Sequence, residues 1–246
     1  MSGSLFQRDA VRTLARQGLR RYFDTPSACM ALLVFYILTS VSFGVPLFYL
    51  GQASIKSLME FEPLFLTFLV PALTMGLISD ELKSGTFESL ATLPLEDWDI
   101  VLGKFLGFAR LHAIAIAGLA VFPVALIFLA LPGSGLDWGE TLGVMLALLL
   151  QGFLLGAVGL FASCLSASQV VAFVTAFLIG FGFFAAGKLA VFFPGSAGTI
   201  LDFIGIDAHM QALAKGVLDT RDFLYFATMI PAFLCAAVER LKARRS

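Results

Sequence analysis

The sequence predicts an all-α integral membrane protein with six transmembrane helices. Three observations carry that prediction. Of 246 residues, 59% are hydrophobic and only 13% are charged, and the mean hydropathy is +0.93; soluble domains carry about 25% charge. Six apolar runs approach or exceed the roughly 20 residues that cross a hydrocarbon core in helical form. The basic residues gather beside one set of run ends. This composition excludes an ordinary soluble enzyme, a disordered chain and a nucleic-acid binder. The runs are too long and too uniformly apolar for alternating strands.

Residues 1–25 form the first region. Ser4–Phe23 reads as an amphipathic helix, with Arg8, Arg12, Arg16 and Arg20 in one stripe and Phe6, Ala10, Val11 and Leu14 opposite. Such a helix lies in the membrane interface, its apolar face toward the acyl boundary and its arginines toward phosphates. Arg8–Arg21 is too long and too basic for the start of a signal peptide. Residues 26–246 form the membrane domain, entered through Asp24-Thr25-Pro26.

The spans are Ala28–Leu50, Phe61–Ser79, Gly103–Leu131 (with Pro123 inside), Leu142–Leu165, Val170–Phe193 and Phe223–Val238, the last extended toward Leu241. An even number places both termini on one side. Arg8, Arg12, Arg16, Arg20, Arg21, Lys83, Lys104, Arg240, Lys242, Arg244 and Arg245 fall on that side, and Lys56, Lys215 and Arg221 on the other. The positive-inside rule therefore predicts cytoplasmic termini. Arg110 is expected to snorkel to the near surface and Lys188 to the outer headgroups. His112 reads as a packed, hydrogen-bonded imidazole.

Two connections stand out. Residues 80–100 form a cytoplasmic loop with a short helix from Thr86 to Thr92, preceded by a turn at Gly85 and ended by Pro94. Phe87, Leu90 and Leu93 are placed to face a partner or the membrane. Glu96, Asp97 and Asp99 favour the positive end of the next helix. Residues 194–222 are too apolar for a solvated loop and too interrupted for a span. Phe203, Ile204, Ile206, Met210, Leu213, Val217 and Leu218 predict short re-entrant helices in the outer leaflet, tolerated only where packed against protein or a cavity. Leu131–Thr141 reads as a short outer turn with an interfacial Trp138.

Several patterns are set aside. Gly182 to Leu189 nearly matches a phosphate-cradling loop, but Leu189 stands where a metal-binding hydroxyl is required, inside a span. Cys29, Cys164 and Cys235 read as packing residues. Gly152 and Gly156 make a GxxxG pattern, continued by Gly159 and Ser163, which suits close packing within the chain or between two chains. No nucleophile–base arrangement, metal-ligand spacing or paired acids within a span is evident, so no catalytic chemistry, cofactor or metal is expected of this chain.

The order of parts resembles the permease subunit of type-2 ATP-binding-cassette (ABC) transporters. Glu81, Gly85-Thr86, Glu88, Leu90, Leu93-Pro94 and Gly103-Lys104 are similar to that family's loop between the second and third spans. Leu136 to Gly139, Gly159 to Ser163 with Gln169-Val170, and His209 followed by Lys215 to Asp219 and Arg221-Asp222 resemble the gliding-motility-associated GldF-like branch. The nitrous-oxide-reductase maturation permease is a more distant relative. The resemblance spans residues 5–245. It implies an inner-membrane protein of bacteria whose separate ATPase subunit, in two copies, binds the ATP and Mg. It implies a coupling helix formed by Glu81, Gly85, Thr86, Phe87, Glu88, Leu90, Leu93 and Pro94, a second permease chain, and in some cases a membrane protein with a large outer domain. The function it implies is ATP-driven export. The alternative is a mechanical relay to an outer partner. A stand-alone transporter is disfavoured by the scarcity of charge within the spans and the lack of an inverted repeat.

Overall fold

A computed structural model describes residues 2–49, 55, 58–91, 96–129, 137–193, 195–216 and 219–245. Every regular element among them is helical. The helices are α1 (Ser2–Asp24), α2 (Pro26–Tyr49), α3 (Leu58–Thr74), α4 (Gly76–Ser84), α5 (Thr86–Ala91), α6 (Asp97–Gly118), α7 (Val121–Leu129), α8 (Trp138–Leu165), α9 (Gln169–Ala190), α10 (Ser196–Ile204), α11 (Ile206–Ala214) and α12 (Thr220–Arg245). Six stretches are long and apolar enough to cross a membrane: Ala28–Phe48, Leu58–Ser84, Asp97–Phe128, Trp138–Leu165, Gln169–Ala190 and Thr220–Arg244. The chain is an all-α, multi-pass membrane protein. The side that holds the ends of α1 and α12 is called the terminal face below, and the opposite side the distal face.

The helices outrun the apolar runs. The second span continues through Asp80–Ser84, which sequence reading assigns to the loop, and stops only at Gly85, whose φ of 72° is left-handed. The third begins at Asp97 rather than Gly103, with the Asp99 carboxylate accepting from Glu96 N at 3.1 Å. The fourth begins at Trp138, because the Asp137 carboxylate caps Gly139 N at 2.8 Å and Glu140 N at 3.2 Å. In each case charged residues end the hydrophobic count while capping chemistry sets where the helix ends.

Two spans are broken. Pro123 has no N–H for the Leu119 carbonyl and crowds it, so the chain turns between α6 and α7. There Leu119 N bonds Ile116 O at 3.0 Å and Ala120 N bonds Ala117 O at 3.1 Å. The Ala115 carbonyl, deprived of its usual partner, accepts from the Tyr36 hydroxyl on α2 at 2.8 Å. The second break, at Met75, separates α3 from α4 and is plugged by Ser163 of α8. Ser163 Oγ accepts from Ile78 N and Ser79 N, both at 2.9 Å, and donates to Met75 O at 3.0 Å. One hydroxyl thereby uses its full capacity of one donor and two lone pairs.

Helix α8 is the axis of the bundle, packed against α3, α6, α9, α11 and α12. Its small residues face inward. A Cβ on Gly152 would sit 1.8 Å from His112 Nε2, one on Gly156 2.1 Å from the Phe108 ring, and one on Gly159 1.9 Å from Thr74 Oγ1. The GxxxG face is thus filled by α6 and α3 of the same chain, which leaves it no room for a second copy. His112 is buried and stacks on Phe108, with Nε2 at 3.2 Å from the Leu148 carbonyl.

Helix α1 corrects a second expectation. Arg12, Arg16 and Arg20 are exposed, and Arg8 lies on the helix although its side chain falls outside the described set. The opposite face does not turn to lipid; it packs on α6. A Cβ on Gly103 would meet Leu14 Cβ at 2.7 Å, and Gly107 lies 3.4 Å from Gly18 by the same measure.

Overpacking the α8 axis should cost about 1–3 kcal/mol. Gly156→Val is expected to lower the melting temperature of the purified protein in detergent. Gly182→Ala, with open space around the new methyl, should leave it unchanged or raise it, by up to about 1 kcal/mol of helix propensity.

Candidate functional site

The terminal face assembles the residues singled out between the second and third spans. Glu81, on α4, pairs with Lys104, on α6, although 23 positions separate them. Both side chains are largely buried (18% and 11% exposed). Gly103, beside Lys104, is where α1 lands. The two ends of the loop motif therefore join α4, α6 and α1 at one level. Asp80, next to Glu81, pairs with Arg21 in the last turn of α1 and accepts from the Gln169 amide at the start of α9. Tyr22 donates to Leu73 O at 2.9 Å, and its burial pushes the phenol above its ordinary pKa. Arg244, at the end of α12, donates to Cys164 O at 3.1 Å and Leu165 O at 2.9 Å, closing the C-terminus of α8. A cavity of about 210 Å³ lies within this cluster, lined in part by Arg21, Tyr22, Asp80, Lys104 and Gln169.

Below this cluster hangs α5. Gly85 reverses the chain, and the Ser84 and Thr86 hydroxyls lie 2.8 Å apart across the turn. Thr86 and Glu88 are exposed. Phe87 is not: it is 7% exposed and belongs to the buried apolar core. The expectation that Phe87 faces a partner is therefore corrected. A six-residue helix has too little backbone hydrogen bonding to hold its own position, and Phe87 anchors it to the bundle. The side chain of Leu90, and all of Leu93 and Pro94, lie outside the described residues.

The distal face is held by a second polar set. Lys188 pairs with Asp207 at 2.8 Å rather than reaching for headgroups, and Gly187 lets α11 approach, since a Cβ there would lie 2.8 Å from Asp207 Cβ. His209 sits buried with Nδ1 at 2.6 Å from Asp222 Oδ1 and Nε2 at 3.1 Å from the Phe203 carbonyl. Tyr225 stacks on His209 and donates to Ile204 O at 2.8 Å. These bonds fasten α10 and α11 against α9 and α12, and α11 also packs on α8, while Ile200, Phe203 and Ile204 remain exposed.

Sequence reading missed the pairing of Lys104 with Glu81, the use of Arg21 instead of the arginine stripe, and Ser163 as a plug. The signal for the first was present: an acid and a base bracketing one loop, each beside a span end. It also passed over Glu62, which is fully buried within the second span.

The fold and this face define a multi-pass membrane subunit whose loop between the second and third spans is braced from three sides. A family model described as ABC-2 family transporter protein matches residues 38–238, and the chain belongs to that family. It is a permease subunit of an ABC transporter, a membrane transporter component rather than a catalytic subunit. Comparison with curated proteins gives no match.

Removing one member of a largely buried ion pair leaves the other uncompensated, at about 3–5 kcal/mol, whereas replacing both by apolar groups costs far less. Lys104→Met is therefore expected to lower the unfolding temperature strongly. Adding Glu81→Leu to it should recover most of the loss. A double variant no more stable than the single one would remove the pair as a stabilising contact.

Proposed function

We propose that α5 is the coupling helix of an ATP-driven exporter, with the terminal face cytoplasmic in a bacterial inner membrane. The ATPase subunits, two per complex, bind ATP and Mg and dock under the segment that carries Glu81, Gly85, Thr86, Glu88, Leu90, Leu93 and Pro94, which the buried Phe87 holds to the bundle. Two permease chains pair in the membrane, each a six-span domain of residues 26–246 with residues 1–25 laid along its base. The GldF-like branch remains the nearest reading of the quoted stretches, and with it a membrane partner bearing a large outer domain.

The single observation that carries this reading is the bracing of α5. Phe87 seats it in the core, Glu81–Lys104 binds α4 to α6, and Asp80 ties α4 to both α1 and α9. A push on α5 is delivered to four other helices rather than absorbed in a loop. Exposed Thr86 and Glu88 on the same helix supply the outward surface that a docking subunit requires.

One observation favours mechanical relay as a second reading. Helix α8 meets α4 near one end, at Ser163, and α11 near the other, at Gly143, so α4 and the α10–α11 segment are linked through a single helix. In that reading α10 and α11 press on an outer partner, and no solute crosses.

Two experiments test the proposal. Glu88→Lys should reduce permease-stimulated ATP hydrolysis by the assembled complex several-fold without lowering membrane insertion; undiminished stimulation would remove α5 as the docking element. With Cys29 and Cys235 replaced by Ala, Lys83→Cys should react with an impermeant thiol reagent only in inverted vesicles. Asp202→Cys should react only in right-side-out ones. The opposite pattern would reverse the orientation.

A further inference from the structure

Glu62 lies one turn into α3, near the distal end of the second span, and its side chain is 0% exposed. Neither carboxyl oxygen has a hydrogen-bond partner among the described residues. The polar group that bears on it is the hydroxyl of Thr39, from α2, also fully buried. That hydroxyl has one proton, which it donates to the Phe35 carbonyl at 2.8 Å. It can therefore present only a lone pair to Glu62. On the other neighbouring span, Gln151 directs its amide nitrogen to the Pro63 carbonyl at 2.9 Å, and its Oε1 has no donor. Among the described residues no donor is placed on the Glu62 carboxyl.

Among the described residues, charge does not compensate. Helices α2 and α7 contain no charged residue, and the titratable groups of α2 are Cys29, Tyr36 and Tyr49. On α3 the other carboxylate, Glu60, is exposed. On α8 the charged residue is Glu140, in its first turn, and on α9 it is Lys188, held by Asp207. His112, on α6, has Nε2 on the Leu148 carbonyl. A buried carboxylate without a cation or a donor is far costlier than the neutral acid, and in proteins such a group takes up a proton instead. Asp222, the other buried carboxylate among the described residues, differs in having His209.

We propose that Glu62 is a proton-binding site inside the transmembrane domain, occupied in this conformation, with the acid O–H donating to Thr39 Oγ1 across the contact between the first and second spans. Releasing the proton to water leaves a carboxylate facing lone pairs, so ionisation requires α2 and α3 to part and admit water. The site thereby links proton occupancy to the closure of these two spans. This does not rest on the coupling role of α5.

The test is infrared spectroscopy of the full chain in lipid nanodiscs at neutral pH, with Glu62→Gln as an isosteric variant. A protonated-carboxyl C=O band should be present in the wild type and in Glu60→Gln, and absent in Glu62→Gln. Thr39→Val should shift that band toward an unbonded acid. Thermal unfolding gives an independent reading. The folded state retains a proton that the unfolded chain releases above the ordinary glutamate value of about 4.3. Wild-type stability should therefore fall as pH rises through that region, and Glu62→Gln should lack this part of the decline. Identical carboxyl bands in wild type and Glu62→Gln would overturn the proposal. So would a missing band joined to a melting temperature that depends on Na⁺ or K⁺ against choline only while Glu62 is present, which would make the site one for a metal cation.

Discussion

Inside a bilayer, apolar burial does not favour helix contact over lipid contact, so spans are held by close backbone approach and by polar groups that find partners. Helix α8 meets the first condition. Gly152, Gly156 and Gly159 remove side chains where His112, Phe108 and Thr74 must enter. Four residues on, Ser163 meets the second by supplying the hydrogen bonds that the break at Met75 removes. The rest of the bundle is arranged around that face. Because the third and second spans can approach α8 this closely, α4 and α6 end side by side and Glu81 can reach Lys104.

The terminal face is then an electrostatic consequence of the packing. Lys104 is two turns into α6, too deep to be left unpaired, and Glu81 on α4 supplies its partner. The neighbouring Asp80 receives Arg21 and Gln169, so a single turn of α4 carries two acids that bind three other elements. Removing the small residues that permit this, Gly103 and Gly107 under α1, would separate charges rather than merely crowd a core. That is a physical reason for a loop motif to end in Gly-Lys: the glycine admits α1 and the lysine fixes the height of α4.

How far the sequence could be read depended on which physical signal was local. The six spans were legible because hydropathy is a sum over neighbours, and the turn at Gly85 because glycine alone takes φ of 72° without strain. The helix ends were not, since Asp80–Ser84 and Asp97–Leu102 are polar or mixed in sequence yet continue their helices through hydrogen bonding. The inner face of α1 was read as lipid-facing because amphipathicity reports that a helix has an apolar side, not what covers it. Lys188 and Phe87 were misplaced for the same reason: Asp207 and the core that receive them are distant in sequence. Glu62 escaped notice because a lone acid inside an apolar run hardly changes a window average.

These misreadings share a direction, and it bears on how the chain works. In each, a group assigned to lipid, headgroup or partner is engaged by another helix. Lys188, Phe87 and the inner face of α1, all near span ends, are therefore spent on internal bracing. The outward side of α5, the arginine stripe of α1 and the exposed rim of α10 remain open as surfaces. Motion cannot then be local. A displacement of α5 must be carried by Phe87 and the Glu81–Lys104 pair into α4 and α6, and the interruptions at Met75 and at Leu119–Ala120 are where straight spans give way to separate segments. Ser163 and Tyr36 supply hydrogen bonds at the two interruptions, capping the Met75 and Ala115 carbonyls. The Tyr36 bond joins α2 to α6 one turn from Thr39, so a bend in the third span pulls on the same face of α2 that closes over Glu62.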